Sequence, residues 1–143
     1  MSDTRIDELR KRMAGAGIDA AVLIHPRDVL YYAGSARPAT LLVAPTDAVL
    51  FVRRGLEWAR REATVGRVEP GGFEQARAAL SALGLVSGTL GVELDVTPAG
   101  LVQRIESAFP GYHLIDVSPL VLAQRMLKSD DEVEATPRAA VVA

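Results

Sequence analysis

The chain has 143 residues, of which 49% are hydrophobic and 24% charged, and its formal net charge is −2. This length fits one domain with a substantial core, and so small a charge gives no reason to expect a nucleic acid or membrane partner. Cysteine is absent, which excludes disulfides and thiolate metal sites. The first twenty residues are too charged for a signal peptide, and no apolar run could span a membrane, so we expect one cytoplasmic domain.

The first predicted elements are an amphipathic helix over residues 4–14 and a buried strand that leads into a short helix. The five apolar residues 20–24 do not alternate with polar ones, which predicts a strand buried on both faces. Pro26 cannot continue a ladder, and residues 27–33 have the length of one or two helical turns. Gly34 can close that helix in the left-handed conformation. A polar turn after a buried strand is a common position for functional residues in α/β folds.

Helix and strand patterns alternate along the rest of the chain. A β-hairpin with its turn at 44–47 comes first. The later elements are predicted as helices over 56–63, 73–83, 97–108 and 120–126 and strands over 65–68, 89–94 and 112–117. Thr97 is expected to cap its helix, and Ser129 or Asp130 to cap a further one. This order predicts an α/β fold: a three-layer domain with a mixed β-sheet flanked by helices.

The sequence contains no self-sufficient catalytic set. His25 and His113 lack a metal-ligand motif, and each is interpreted as a hydrogen-bonded or surface histidine. The glycines lack phosphate-loop spacing, and no serine lies in a nucleophile-elbow motif. Glu93 and Asp95 follow one predicted strand and are interpreted as solvated loop residues. Trp58 is interpreted as a helix residue that packs on the sheet, with its neighbouring arginines outside.

Several short motifs occur in a specific order along the chain. They are Gly17-Ile18-Asp19-Ala20, Pro26-Arg27-Asp28-Val29, Tyr31-Tyr32-Ala33-Gly34, Gly91-Val92-Glu93 and Leu127-Lys128-Ser129-Asp130-Asp131-Glu132. Together they resemble the N-terminal domain of the creatinase, prolidase and Xaa-Pro aminopeptidase family of metallopeptidases. The resemblance implies a ribonuclease-H-like layout over residues 1–127. It also implies that residues 128–143 begin the linker or first helix towards an absent C-terminal catalytic domain, although Pro137 departs from the family pattern.

The resemblance implies a hydrolase parent, either an Xaa-Pro dipeptidase or an aminopeptidase. In that family the metal ligands and catalytic histidines lie in the C-terminal domain, so no catalytic residue and no cofactor is expected here. The parent would use two divalent cations (Mn, Co or Zn). The domain itself would support a homodimer and border the partner subunit's substrate pocket. In the loop 35–39, Arg37 is expected to bind a substrate carboxylate, and Tyr32 and His25 are assigned to the same border.

Other interpretations stay open at this point. For Arg37, the alternative is a solvated loop arginine. For the whole chain, one alternative is a stand-alone dimerisation or interaction module without a catalytic partner, and the reading frame downstream of Ala143 would discriminate the two. A small-molecule sensor domain would need a closed apolar pocket. A creatinase-type hydrolase or a lyase parent is also compatible with the sequence, because the reacting groups of the family lie elsewhere.

Overall fold

The computed structural model describes residues 2–134, with side chains described over 4–127. The helices are α1 (Ser2–Gly15), α2 (Pro26–Ala33), α3 (Leu56–Glu62), α4 (Phe73–Ala82), α5 (Ala99–Ala108) and α6 (Ser118–Glu134). The strands are β1 (Ala20–Leu23), β2 (Ala39–Val43), β3 (Ala48–Val52), β4 (Val68–Pro70), β5 (Gly88–Val92) and β6 (Tyr112–Asp116). The alternation predicted from the sequence is therefore confirmed.

The strands form one six-stranded mixed sheet in the order β4-β3-β2-β1-β5-β6. β2 is antiparallel to β1 and to β3, whereas the pairs β1–β5, β5–β6 and β3–β4 are parallel. The predicted hairpin joins β2 and β3, and its turn is closed by the Ala44 N–H, which donates to the Asp47 carbonyl at 2.9 Å. As a result β1, β3, β4, β5 and β6 all end on the side where β2 begins. We call this side the carboxyl end of the sheet.

Helices cover both faces of the sheet, as the sequence predicts for a three-layer domain. Successive residues of a strand point to opposite faces, so Ala21 and Leu23 pack into one core and Ala20 and Val22 into the other. The first core also contains side chains of α1, α2, α3 and α6, and the second contains side chains of α4 and α5. Burial of β1 on both faces explains its unbroken apolar sequence.

Gly34 ends α2 in the left-handed conformation, as predicted. Its φ is +82°, and its N–H donates to the Leu30 carbonyl. A Cβ at this position would also lie only 2.9 Å from the side chain of Thr64. Glycine is therefore required here both by backbone conformation and by space.

Two local predictions are wrong. β4 comprises Val68–Pro70 rather than 65–68, because an edge strand tolerates proline. The next residue, Gly71, donates its N–H to the carbonyl of Val52 in β3. The backbone nitrogen of Pro70, one position earlier, therefore points away from β3, where the strand needs no N–H donor. Thr97 does not cap α5: its hydroxyl donates instead to the carbonyl of Glu93 at 2.6 Å.

α6 is longer than the sequence indicated. A helix over 120–126 and a new start at Ser129 or Asp130 were predicted, but the backbone is helical without a break over Ser118–Glu134. Pro137 lies outside the described residues. Within residues 2–134, no helix is both long enough and apolar enough to cross a membrane.

Candidate functional site at the carboxyl end of the sheet

The carboxyl end of the sheet brings together Arg37 and His25, two of the three residues predicted to border a substrate pocket. His25 follows the end of β1, and Arg37 precedes the start of β2. β1 and β2 are neighbours, with Leu23 opposite Leu41, so both residues belong to the same region of the surface. Their side chains belong to two different clusters, which are described in turn.

Arg37 is the centre of the first cluster. Its Nε and Nη2 donate to Oε1 of Glu62 at 3.2 and 3.0 Å, and the two side chains are 39% and 34% exposed. The hydroxyl of buried Ser35 donates to Oε2 of Glu62 at 2.9 Å, and its oxygen accepts the Arg37 N–H at 3.3 Å. Glu62 thus fixes one side of the guanidinium. These contacts order the loop 35–39 at the surface.

The same contacts keep Glu62 ionised. The Ser35 hydrogen bond, followed by hydrogen bonding and charge attraction from Arg37, holds the pKa of Glu62 below its ordinary value, although desolvation opposes them. A charged Glu62 keeps the guanidinium in place at any pH near neutral. Glu62 engages Nε and one N–H of Nη2, so Nη1 and the second N–H of Nη2 form the other edge of the planar guanidinium.

Trp58 stands beside Arg37 and is exposed, contrary to the sequence-based expectation. Its side chain is 56% exposed, so it does not pack on the sheet. The guanidinium carbons of Arg37 and Arg61 lie 5.5 and 5.1 Å from the centre of its ring. α3 buries Ala59 instead. The tryptophan is therefore held by two cation–π contacts on a surface helix rather than by the core.

His25 borders the second cluster, a cleft of about 280 Å³ between α2 and α6. The residue precedes Pro26 at the N-terminus of α2, and its side chain is half-buried. The cleft is lined by His25, Arg27, Asp28, Asp95, Val96, Ser118, Val121, Leu122 and Arg125. Asp95 accepts the hydroxyl of Ser118 at 2.6 Å, and Asp28 accepts Nη1 of Arg125 at 2.9 Å. The polar groups of the cleft are therefore paired mostly with one another.

Glu93 lies beneath this cleft and is buried, so its interpretation as a solvated loop residue is wrong. Only 1% of it is exposed. Its Oε1 accepts the backbone N–H groups of Ile24 and His25 at 2.6 and 3.0 Å, which fixes the turn after β1. Burial, and then the nearby carboxylate of Asp28, raise the pKa of Glu93 to about 8. Near neutral pH the Glu93 carboxyl therefore keeps its proton.

Tyr32 does not belong to the surface to which it was assigned. Its side chain is fully buried, and its hydroxyl donates to Oε1 of Gln124 on α6 at 2.7 Å. Gln124 in turn donates to the Arg5 carbonyl at 2.8 Å. Desolvation raises the pKa of the Tyr32 hydroxyl far above its ordinary value, so the group stays neutral. Through Gln124, these hydrogen bonds link Tyr32 of α2 to α6 and α1. The ring of Tyr32 is not exposed to solvent.

The described residues contain no group of three or more His, Cys, Asp or Glu side chains placed to hold a metal ion. His113 lies on β6, as predicted, and is exposed. Arg37 and the cleft place charged side chains at the carboxyl end of the sheet.

Comparison with known proteins identifies the family. Residues 5–127 match the family described as the creatinase/prolidase N-terminal domain. The chain belongs to this family. A curated creatinase from Bacillus sp. is 31% identical over 151 residues, an alignment that covers 97% of this chain and 37% of the creatinase.

Solved structures of peptidases have the same fold as this chain. An X-Pro aminopeptidase from Thermotoga maritima superposes with a TM-score of 0.77 at 22% identity, over 90% of this chain and 38% of that one. The N-terminal domain of the cytoplasmic peptidase PepQ from Mycobacterium tuberculosis gives a TM-score of 0.74 at 24% identity, over 85% and 98% of the two chains. The present chain thus spans little more than a third of the creatinase and of the aminopeptidase.

In this creatinase/prolidase N-terminal domain, sequence reasoning missed Glu62, Glu93 and Arg125. Glu93 carried a usable signal, because it directly follows the buried apolar strand β5 without a turn residue between them. Glu62 and Arg125 carried none, because their partners lie 25 and 97 residues away in the sequence.

Proposed function

We propose that this chain is the non-catalytic N-terminal domain of a metal-dependent Xaa-Pro dipeptidase or aminopeptidase-like hydrolase of the cytoplasm. The observation that carries the proposal is the family match over residues 5–127, together with X-Pro peptidases among the similar structures. The partner of the domain is its own C-terminal catalytic domain. In a homodimer, its carboxyl end borders the substrate pocket of the partner subunit.

Arg37 is the residue of this domain that binds the substrate. An Xaa-Pro dipeptide ends in a free carboxylate, which matches the planar Nη1–Nη2 fork of a guanidinium. Two neighbours support this role: Glu62 holds the Nε side of the guanidinium, and the ring of Trp58 lies against its face. Preorganisation of this kind lowers the entropy that binding must overcome. His25 borders the pocket from the end of β1, whereas Tyr32 fixes α2 from the core and does not contact the substrate.

The chemical step belongs to the domain that follows. The two divalent cations (Mn, Co or Zn) supply an activated water when bound there. No residue of the described part of this chain is assigned to them. The contribution of this domain is to orient the substrate by its carboxylate, and to complete a pocket that excludes water from the scissile bond.

The test compares the 143-residue chain with the two-domain protein that its reading frame encodes, on an Xaa-Pro dipeptide with added manganese. We expect no turnover by the chain alone and turnover by the two-domain protein. Turnover by these 143 residues alone would contradict the proposal, as would a stop codon after Ala143, which would favour a stand-alone module. In the two-domain protein, Arg37→Met should lower kcat/KM roughly 10- to 100-fold, mainly through KM.

Arg67→Met is the matched control. Like Arg37, Arg67 pairs with a surface carboxylate, that of Asp47 at 2.6 Å, but it lies next to the β2–β3 turn, at the other end of the sheet. Its loss should leave kcat/KM within about twofold of the wild-type value. Equal effects of the two substitutions on kcat/KM would show that Arg37 does not lie in the substrate pocket.

A further inference from the structure

Exposed apolar side chains concentrate beside the cleft between α2 and α6. Val96, in the loop after β5, is 45% exposed, and Leu122 and Met126 of α6 are 51% and 61% exposed. We call these three residues the α6 patch. Val96 and Leu122 line the same cleft, and Met126 follows Leu122 by one helical turn on the same helix face. Exposed apolar side chains grouped in this way are typical of an interaction surface.

The α6 patch is held rigidly by the polar contacts beneath it. Arg125 ties α6 to Asp28 of α2, and Gln124 ties it to the hydroxyl of Tyr32. Val96 is held by its N–H, which donates to the Glu93 carbonyl at 3.3 Å. Because these contacts fix both sides of the cleft, the patch is formed before any partner binds. A preformed surface binds without the entropy cost of ordering itself.

We propose that the α6 patch is the surface on which the catalytic domain that follows α6 packs within the same subunit. This inference rests on the proposed function. The family match ends at residue 127, inside α6, and the family is described as an N-terminal domain. α6 is therefore the element from which the chain of a relative continues. The X-Pro aminopeptidase of Thermotoga maritima, of which this chain covers 38%, has most of its length outside the match.

The chemistry of the patch fits a partner domain of the same chain. Interfaces between domains combine a modest apolar centre with a polar rim. Here the apolar centre is bordered by Arg27, Asp95 and Ser118, which line the same cleft. The occupant is therefore expected to present apolar side chains flanked by hydrogen-bonding groups. Leu127, 52% exposed, extends the apolar surface along α6 towards the following domain.

Oxidation of Met126 by hydrogen peroxide tests the proposal, because an exposed methionine thioether oxidises much faster than a buried one. The rate is measured by peptide mass spectrometry in the 143-residue chain and in the two-domain protein. We expect the rate at Met126 to be at least tenfold lower in the two-domain protein. Met13, which is buried in the first core, is the internal reference and should react slowly in both.

Val86→Met supplies a matched exposed control. Val86 is 59% exposed and precedes β5, so it lies at the opposite end of the sheet from the α6 patch. A methionine placed there should oxidise at the same rate in the chain and in the two-domain protein. Equal rates for Met126 in the two proteins would overturn the proposal. So would protection of Met126 in the isolated chain that grows with its concentration, since that would assign the patch to a second copy.

Failure of this inference can be distinguished from failure of the proposed function. If the two-domain protein hydrolyses Xaa-Pro dipeptides but Met126 remains as reactive as in the isolated chain, only the packing surface is wrong. If the two-domain protein lacks that activity, the proposed function fails, and the inference fails with it. Leu122→Asp in the two-domain protein gives a second readout. This substitution should make the two domains unfold in separate transitions, whereas Leu83→Asp, at another exposed leucine, should not.

Discussion

Oε1 of Glu93, which is buried at the end of β5, accepts the backbone N–H group of His25 at 3.0 Å. The same oxygen accepts the N–H group of Ile24 at 2.6 Å, so Glu93 joins β5 to the turn after β1. Beside it, Asp28 of α2 accepts a hydrogen bond from Arg125 of α6. These two sets of contacts hold β5 to β1 and α2 to α6 at the carboxyl end of the sheet.

Replacement of Glu93 by glutamine should stabilise the protein at alkaline pH. In the unfolded chain Glu93 loses its proton near its ordinary pKa of 4.5, whereas in the folded protein it keeps the proton up to about 8. Between these values the folded state binds more protons, so the free energy of unfolding falls as pH rises and is level above about 8. Glu93→Gln should remove that fall and add roughly 1–3 kcal/mol at pH 9, with little change at pH 4.

Urea unfolding between pH 4 and pH 9 measures this effect. A glutamine amide retains the oxygen that accepts the N–H groups of Ile24 and His25, and it carries no titratable proton. Glu57→Gln, at an exposed position of α3, is the control and should leave the pH dependence unchanged. A wild-type protein whose stability is level from pH 5 to pH 8 would contradict the raised pKa of Glu93.

The ion pair between Arg125 and Asp28 should contribute more to stability than an exposed pair. Its side chains are 26% and 9% exposed, against 51% and 29% for Arg67 and Asp47. Arg125→Met should therefore lower the free energy of unfolding by roughly 1–3 kcal/mol, and Arg67→Met by less than about 1 kcal/mol. A double-mutant cycle with Asp28→Asn isolates the pair energy. A coupling no larger than that of the exposed pair would show that α6 is not fixed through Arg125.

Loss of the Tyr32 hydroxyl should destabilise the core without altering substrate binding. Tyr32→Phe leaves the side-chain oxygen of buried Gln124 without its donor, at a cost of roughly 1–2 kcal/mol in the free energy of unfolding. Urea unfolding gives the stability, and KM for an Xaa-Pro dipeptide gives the binding. A raised KM with unchanged stability would contradict this prediction and show that Tyr32 borders the substrate pocket.

Removal of the Trp58 side chain should have only a small effect on stability. Two cation–π contacts at an exposed site are together worth roughly 1 kcal/mol, so Trp58→Ala should lower the free energy of unfolding by about that amount. Phe109→Ala, at a 1% exposed site between α5 and the sheet, should lower it by about 3–5 kcal/mol. Similar losses for the two variants would mean that Trp58 is packed on the sheet after all.

The fold was largely predictable from the sequence, because its signals are local. Three local signals each determine the structure of the residues around them: the unbroken apolar residues of β1, the turn at 44–47 and the glycine at position 34. The wrong predictions concern features that local signals do not determine. The edge position of β4, which tolerates Pro70, depends on strand order, and strand order is not a local property.

The candidate site was predictable only in part, because its contacts join distant segments. Arg37 was found through the family resemblance, but its partner Glu62 is 25 residues away. Burial of Glu93 and Tyr32 follows from the packing of helices α2 and α6 over the sheet end. The exposure of Trp58 depends on which face of the short helix α3 meets the core, and seven residues give too little periodicity to decide this.

Mixing of subunits tests most directly whether Arg37 acts on the pocket of the partner subunit. Two forms of the two-domain protein are combined, one with Arg37→Met and one inactivated within its catalytic domain. In the mixed dimer, an intact Arg37 faces an intact catalytic domain across the interface, so we predict that activity on an Xaa-Pro dipeptide rises above that of either form alone. If mixed dimers form and activity does not rise, Arg37 does not act across the interface.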